Sequence, residues 1–121
     1  METIEEFEQL FSYGSLQDEA VQHANFGRKL NGKPDSLRGY REAKIKIQDR
    51  SAVAAAGADY YLNAQFTGNE EDCVAGTVFA VTKQELAQAD MYEASAAYRR
   101  VRVRLQSGTE AWIYVSAALN E

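Results

Sequence analysis

Leu10-Phe11-Ser12-Tyr13-Gly14-Ser15-Leu16 is the stretch on which the fold turns. Residues 9–13 read as a strand that runs into a tight glycine turn. There a residue without a Cβ lets the backbone approach a ligand and aim successive N–H groups at it. A second stretch, Ala89-Asp90-Met91-Tyr92-Glu93 with Tyr98-Arg99 just beyond, supplies a carboxylate. Oriented N–H groups facing a single glutamate suit a reaction that develops oxyanion charge while an amine or water loses a proton.

Outward from the glycine turn, Asp18 serves as an N-cap and Gly27 as a stop for a short helix over 19–26. Asn31-Gly32-Lys33-Pro34-Asp35 reads as a loop. Ala43, Ile45 and Ile47 alternate with Lys44, Lys46 and Gln48, which predicts a strand over 40–48 with one face buried. The alanine-rich stretch 49–57 has no period and reads as irregular. Thr67-Gly68-Asn69-Glu70-Glu71-Asp72 is an acidic turn, and 73–81 a β-branched and aromatic strand. Thr82-Lys83-Gln84-Glu85 is a capping box that opens a helix to about Met91. Alternating strands over 99–106 and 110–115, joined at Ser107-Gly108-Thr109, form a hairpin. Alternation puts Trp112 and Tyr114 on the opposite face from Ile113, and the apolar faces near Ala43, Val78, Val103 and Ile113 are expected to share one core. Strands dominate, so the fold class is α+β, a closed or strongly bent sheet with helices at its side.

At 121 residues the chain is long enough to bury one core and too short for two, so 1–121 is read as a single domain. No basic leader precedes an apolar run, and no stretch of about 18 apolar residues occurs, which points to a cytoplasmic protein with no membrane partner. A lone Cys73 makes no internal disulfide, and Cys73 with the single His23 does not assemble a structural zinc site. The net charge of −5 argues against a nucleic-acid partner. Arg99, Arg100, Arg102 and Arg104 crowd one stretch, but the last three alternate with Val101, Val103 and Leu105 as on the solvated face of a half-buried strand. The competing reading of that stripe is an anion site.

The two opening stretches, with the motifs between them, resemble the gamma-glutamylcyclotransferase-like superfamily in its small AIG2-like branch. The order is a strand ending in Tyr13-Gly14-Ser15-Leu16, a polar helix, Gly39-Tyr40-Arg41, then Val74-Ala75-Gly76-Thr77-Val78-Phe79, an Asp90-to-Glu93 turn, and Tyr98-Arg99. One position departs from the pattern: many members have Gly directly after the glutamate, and this chain has Ala94.

The resemblance implies a small mixed β-barrel with a few short helices packed at its side and a cavity beside the glycine turn. It implies an activity too: a γ-glutamyl amine or peptide closes on itself to 5-oxoproline and releases the amine. That step is intramolecular and needs no cofactor, only a fold for the substrate, a base and an oxyanion site. Glu93 is the base, helped by a buried position that raises its pKa. Tyr13, Gly14, Ser15 and Leu16 form the substrate cradle. Tyr98 and Arg99 are further substrate contacts, Arg99 pairing either with the substrate carboxylate or with Asp90. The partner is then a small γ-glutamyl molecule, and the protein a monomer or homodimer. From another class comes a non-catalytic small-molecule or partner-binding domain that keeps the fold and pocket. Serine hydrolase chemistry at Ser15 is disfavoured, since the Gly-x-Ser-x-Gly spacing is absent and His23 has no third partner.

Overall fold

A computed structural model describes residues 7–46, 60–94 and 98–116. Strand β1 (Phe7–Ser12) is followed by a single 3-10 turn (Ser15–Gln17) and helix α1 (Glu19–Phe26). Strands β2 (Asn31–Arg38), β3 (Tyr40–Lys46), β4 (Tyr60–Phe66) and β5 (Cys73–Thr82) come next. Helix α2 (Lys83–Ala94), β6 (Tyr98–Arg104) and β7 (Glu110–Ser116) complete the order. The stretch 49–57 and Ile47 lie outside the described residues.

The described residues form a five-stranded sheet in the order β2-β5-β1-β7-β6 and a separate antiparallel pair, β3-β4. In the larger sheet β1 pairs antiparallel with β5 and parallel with β7, with Leu10 opposite Trp112. The class is therefore mixed α+β, as expected. The hydrogen-bonded ladders leave β2 and β6 as edges, so among the described residues the sheet does not close into a barrel.

Both faces of this sheet are covered. On one, Phe11, Val78, Ala111 and Ile113 pack with Leu37, Val74 and Leu105 under the β3-β4 pair, which adds Ala64, Tyr40 and Leu62. On the other, Leu10, Phe79, Val81 and Tyr114 meet Leu86 and Ala89 of α2, with Leu16 and Leu30 beside them. Val78, Val103 and Ile113 share the first of these clusters with Tyr40 of β3, as alternation predicts, and a second cluster not read from the sequence covers the other face of the sheet. Trp112 and Tyr114 do lie opposite Ile113.

The helix signals act as the chemistry requires. The Asp18 side chain accepts from the Ala20 N–H at 2.8 Å, and Gly27 ends α1 at φ +73°, its N–H donating to the His23 carbonyl. Thr82 and Glu85 cap reciprocally, each side chain accepting the other's backbone N–H at 3.0 Å. The helix then continues to Ala94, so Asp90 and Glu93 share a helical turn rather than a loop.

The segment 31–35, read as a loop, is the start of an edge strand. All of β2 pairs with β5 alone, and an edge tolerates Pro34 because the missing donor is needed only on one side. Gly76 in β5 has a packing reason. A Cβ there would run into the Ser12 carbonyl and the Phe11 ring, so only glycine lets the end of β1 lie this close.

Candidate active site

Because β1 and β7 run parallel, their carboxyl ends emerge on the same side of the sheet. At that side lies a cleft of about 390 Å³, open mouth included, lined by Phe11, Ser12, Tyr13, Gly14, Ser15, Leu62, Glu93, Tyr98 and Tyr114. The end of β1 and its turn supply one wall, the last turn of α2 supplies Glu93, and β4, β6 and β7 supply the rest.

Among the described residues Glu93 is the one carboxylate on this wall, and no basic side chain of theirs lines it. Burial among aromatic rings penalises its charged form and pushes its pKa up to about 7. The end of a helix adds to the cost of an anion there, since the unsatisfied carbonyls of the last turn carry partial negative charge. A carboxyl poised near neutrality can both take and return a proton.

Most hydroxyls around the cleft serve the walls. Tyr13 donates to the Tyr114 carbonyl at 2.7 Å and accepts from the Ala64 N–H at 3.0 Å, tying the end of β1 to β7 and β4. Burial above all holds its pKa well above the ordinary phenol range. The Tyr98 hydroxyl donates to the Leu62 carbonyl. Tyr114 donates to Asp90 Oδ1 at 2.6 Å, and burial followed by that bond keeps it protonated. Ser15 Oγ and the Tyr92 hydroxyl form a hydrogen bond of 2.8 Å that bridges the glycine turn to α2.

The turn itself points its backbone at the cleft. Gly14 has φ −131°, which needs no glycine, and a Cβ there would meet no protein atom within 4 Å. The open space above Gly14 is available to a ligand. The Gly14 N–H bonds Ser12 Oγ at 3.3 Å, and the N–H groups that open the following 3-10 turn have no carbonyl within the turn to bind.

Tyr13, Gly14, Ser15, Tyr98 and Glu93 therefore come together from two distant parts of the chain. Leu16 and Arg99 are not on the cleft wall. Leu16 is 1 % exposed and packs into the core beneath α2, because the 3-10 turn rotates it inward. Arg99 lies on the opposite face of β6 from Tyr98, as strand alternation dictates. It is Arg100 that reaches Asp90, at 3.5 Å. Arg100 and Arg102 also stack on Trp112, and Arg102 and Arg104 pair with Glu110, so the basic stripe is matched by acids and an aromatic ring. His23 pairs with Glu19 on its own helix, and Ser15 with Tyr92, so no serine triad forms. Among the described residues no group of three His, Cys, Asp or Glu side chains could hold a metal ion, and no helix is long and apolar enough to cross a membrane. Tyr92 and Tyr114, absent from the sequence-based site, belong to it or brace it; Tyr114 was legible only as an alternating strand position.

Residues 10–121 match the family described as gamma-glutamyl cyclotransferase, AIG2-like. Two Arabidopsis thaliana proteins of known solution structure share the fold. At3g28950.1 is 22% identical with a TM-score of 0.72, covering 100% of this chain and 68% of its own. At5g39720.1 is 21% identical with a TM-score of 0.69, covering 99% and 74%. A solved gamma-glutamyl cyclotransferase superposes at 17% identity and a TM-score of 0.71, over 93% of this chain and 68% of that one. No curated protein matches the chain. The length and order of the match place this chain in the AIG2-like gamma-glutamyl cyclotransferase family.

Proposed function

We propose that the protein converts a γ-glutamyl amine or peptide to 5-oxoproline and free amine, with Glu93 as the general base. The observation that carries this reading is the Glu93 carboxyl, raised to about 7 by burial, on the same small cleft as the Gly14-Ser15 backbone. The glutamyl group lies over Gly14, where no Cβ intrudes. Glu93 takes a proton from the substrate α-ammonium, and the freed amine attacks the γ-carbonyl carbon. Backbone N–H groups of the turn face the oxyanion that develops. The tetrahedral centre then expels the amine, which takes the proton that Glu93 returns and the second proton that the ring nitrogen sheds, so it leaves as an ammonium and the reaction consumes no water and no cofactor. Holding both reacting groups of one molecule in a folded conformation supplies much of the acceleration.

Release of 5-oxoproline from a panel of γ-glutamyl amines and dipeptides tests the reading. Turnover of at least one panel member, lost in Glu93→Gln, is the expected result. Saturable binding of the panel without any 5-oxoproline would instead make the protein a binding module on the same fold.

A further inference from the structure

The carboxyl end of α2 is an unfavourable place for acids, yet its last two turns carry Asp90 and Glu93. Helix ends also fray, since their final carbonyls have no intrahelical partner. Asp90 counters both. Its Oδ1 accepts the Tyr114 hydroxyl of β7 at 2.6 Å, and its Oδ2 pairs with Arg100 Nη1 of β6 at 3.5 Å. One side chain thus joins the helix end to two neighbouring strands, one turn before Glu93. Tyr114 meets Asp90 through its hydroxyl while its ring forms part of the cleft wall that also holds Glu93.

We propose that Asp90 is a positioning residue: by holding Tyr114 and Arg100 together it seats the last turn of α2, and the Glu93 carboxyl with it, against the cleft wall. The inference rests on the reading of Glu93 as the base, but its central consequence is visible without substrate. A looser helix end lets water reach Glu93, and a better-hydrated carboxylate titrates lower. The titratable and charged groups around Glu93 are Tyr13 after β1, Tyr98 and Arg100 on β6, Tyr114 on β7, and Asp90 and Tyr92 on α2. Glu42 of β3 acts on the same Tyr13.

Two substitutions separate seating from direct charge effects. Tyr114→Phe removes the bond to Asp90 while keeping the ring and every formal charge. Arg100→Met removes a cation, which by Coulomb interaction alone would raise the Glu93 pKa, whereas loosening the helix end lowers it. Titrating the Glu93 side-chain carboxyl by carbon-13 NMR in the intact protein reads the outcome, with circular dichroism confirming that each variant is folded. Both variants are expected to lower the Glu93 pKa by about one unit, a tenfold change in its proton affinity. In the same variants kcat should fall about tenfold or more with KM little changed, because misplacing a reacting group costs rate more than binding. A Glu93 pKa that stays put in Tyr114→Phe, or rises in Arg100→Met, overturns the proposal. Failure of the wild-type protein to release 5-oxoproline would instead overturn the cyclotransferase reading, and leaves the NMR result to decide the seating.

Discussion

Helix α2 carries a shielded carboxylate in its first turn and another in its last, and the two are pushed in opposite directions. Glu85 receives Arg28 through two bonds, Nε to Oε2 at 2.7 Å and Nη2 to Oε1 at 2.8 Å, and caps the helix through the Thr82 N–H. The Arg28 hydrogen bonds outweigh the cost of burial, and its pKa lies below the usual carboxylate range. Glu93 has the burial and, among the described residues on the cleft wall, no cation beside it, and its pKa climbs to about 7. Burial alone therefore does not decide which way a carboxyl is pushed; the cation beside it does. The N-terminal carboxylate secures the fold, and the C-terminal one bears a cost that catalysis can use.

The largest expected effect comes from removing the unpartnered group. Glu93→Gln should reduce 5-oxoproline release by about 10²- to 10⁴-fold, as loss of a general base does. The same variant should be no less stable than wild type. At pH 8 thermal or urea unfolding should show it more stable by about 1 to 3 kcal/mol, because Gln spares the protein the cost of ionising a buried carboxyl. A variant that loses stability along with activity would make Glu93 a structural residue like Glu85.

Removing the partnered group should do the reverse. Glu85→Ala removes the side-chain half of the reciprocal cap and takes from Arg28 its two bonds to that carboxylate, at a cost of about 2 kcal/mol in urea unfolding. Turnover per folded molecule should stay near wild type, since Glu85 does not line the cleft. The two carboxylates also predict opposite pH windows. For Glu93 the folded pKa is raised, so its contribution to stability is fully present below the unfolded value near ~4.3 and is lost as pH rises through about 7. For Glu85 the folded pKa is lowered, so its contribution is present above that unfolded value and is lost as pH falls through the folded one. Denaturant midpoints from pH 4 to 8 should therefore depart from wild type most at the alkaline end and in opposite directions, Glu93→Gln above it and Glu85→Ala below it, with both differences shrinking toward pH 4.

The smallest structural effect is expected at Gly14. A methyl group there meets no protein atom, so Gly14→Ala should change stability by only about 0.5 kcal/mol. If substrate lies over the turn, KM should rise; unchanged kinetics would move the substrate elsewhere in the cleft.

Much of this contrast was legible in the sequence, and unevenly so. The capping box at Thr82 and Glu85 is a local signal, and the structure realises it bond for bond. The same holds for Asp18 and Gly27 around α1. The far end of α2 has no Gly or Pro to mark its stop, and the helix runs three residues past Met91. β2 escaped because Asn31, Gly32, Pro34 and Asp35 have turn chemistry, and only pairing with β5 makes them a strand. The second cluster, between the sheet and α2, escaped because alternation shows which residues share a face, not what covers it. Leu16 and Arg99 sit inside matching motifs, but a 3-10 turn buries Leu16 in the core and Arg99 takes the face of β6 opposite Tyr98, and neither lines the cleft. Arg28 opposite Glu85, and Tyr114 opposite Asp90, are contacts between distant segments that no spacing in one sequence encodes.

The most direct measurement is the pH dependence of kcat/KM for 5-oxoproline release between pH 5 and 9, which reports the ionisation of the free protein's essential groups. An unpartnered, buried Glu93 predicts an acid limb that falls about tenfold per pH unit below a bend near pH 7. A rate that stays flat down to pH 5 would mean that the base ionises as an ordinary carboxylate, and would contradict the account.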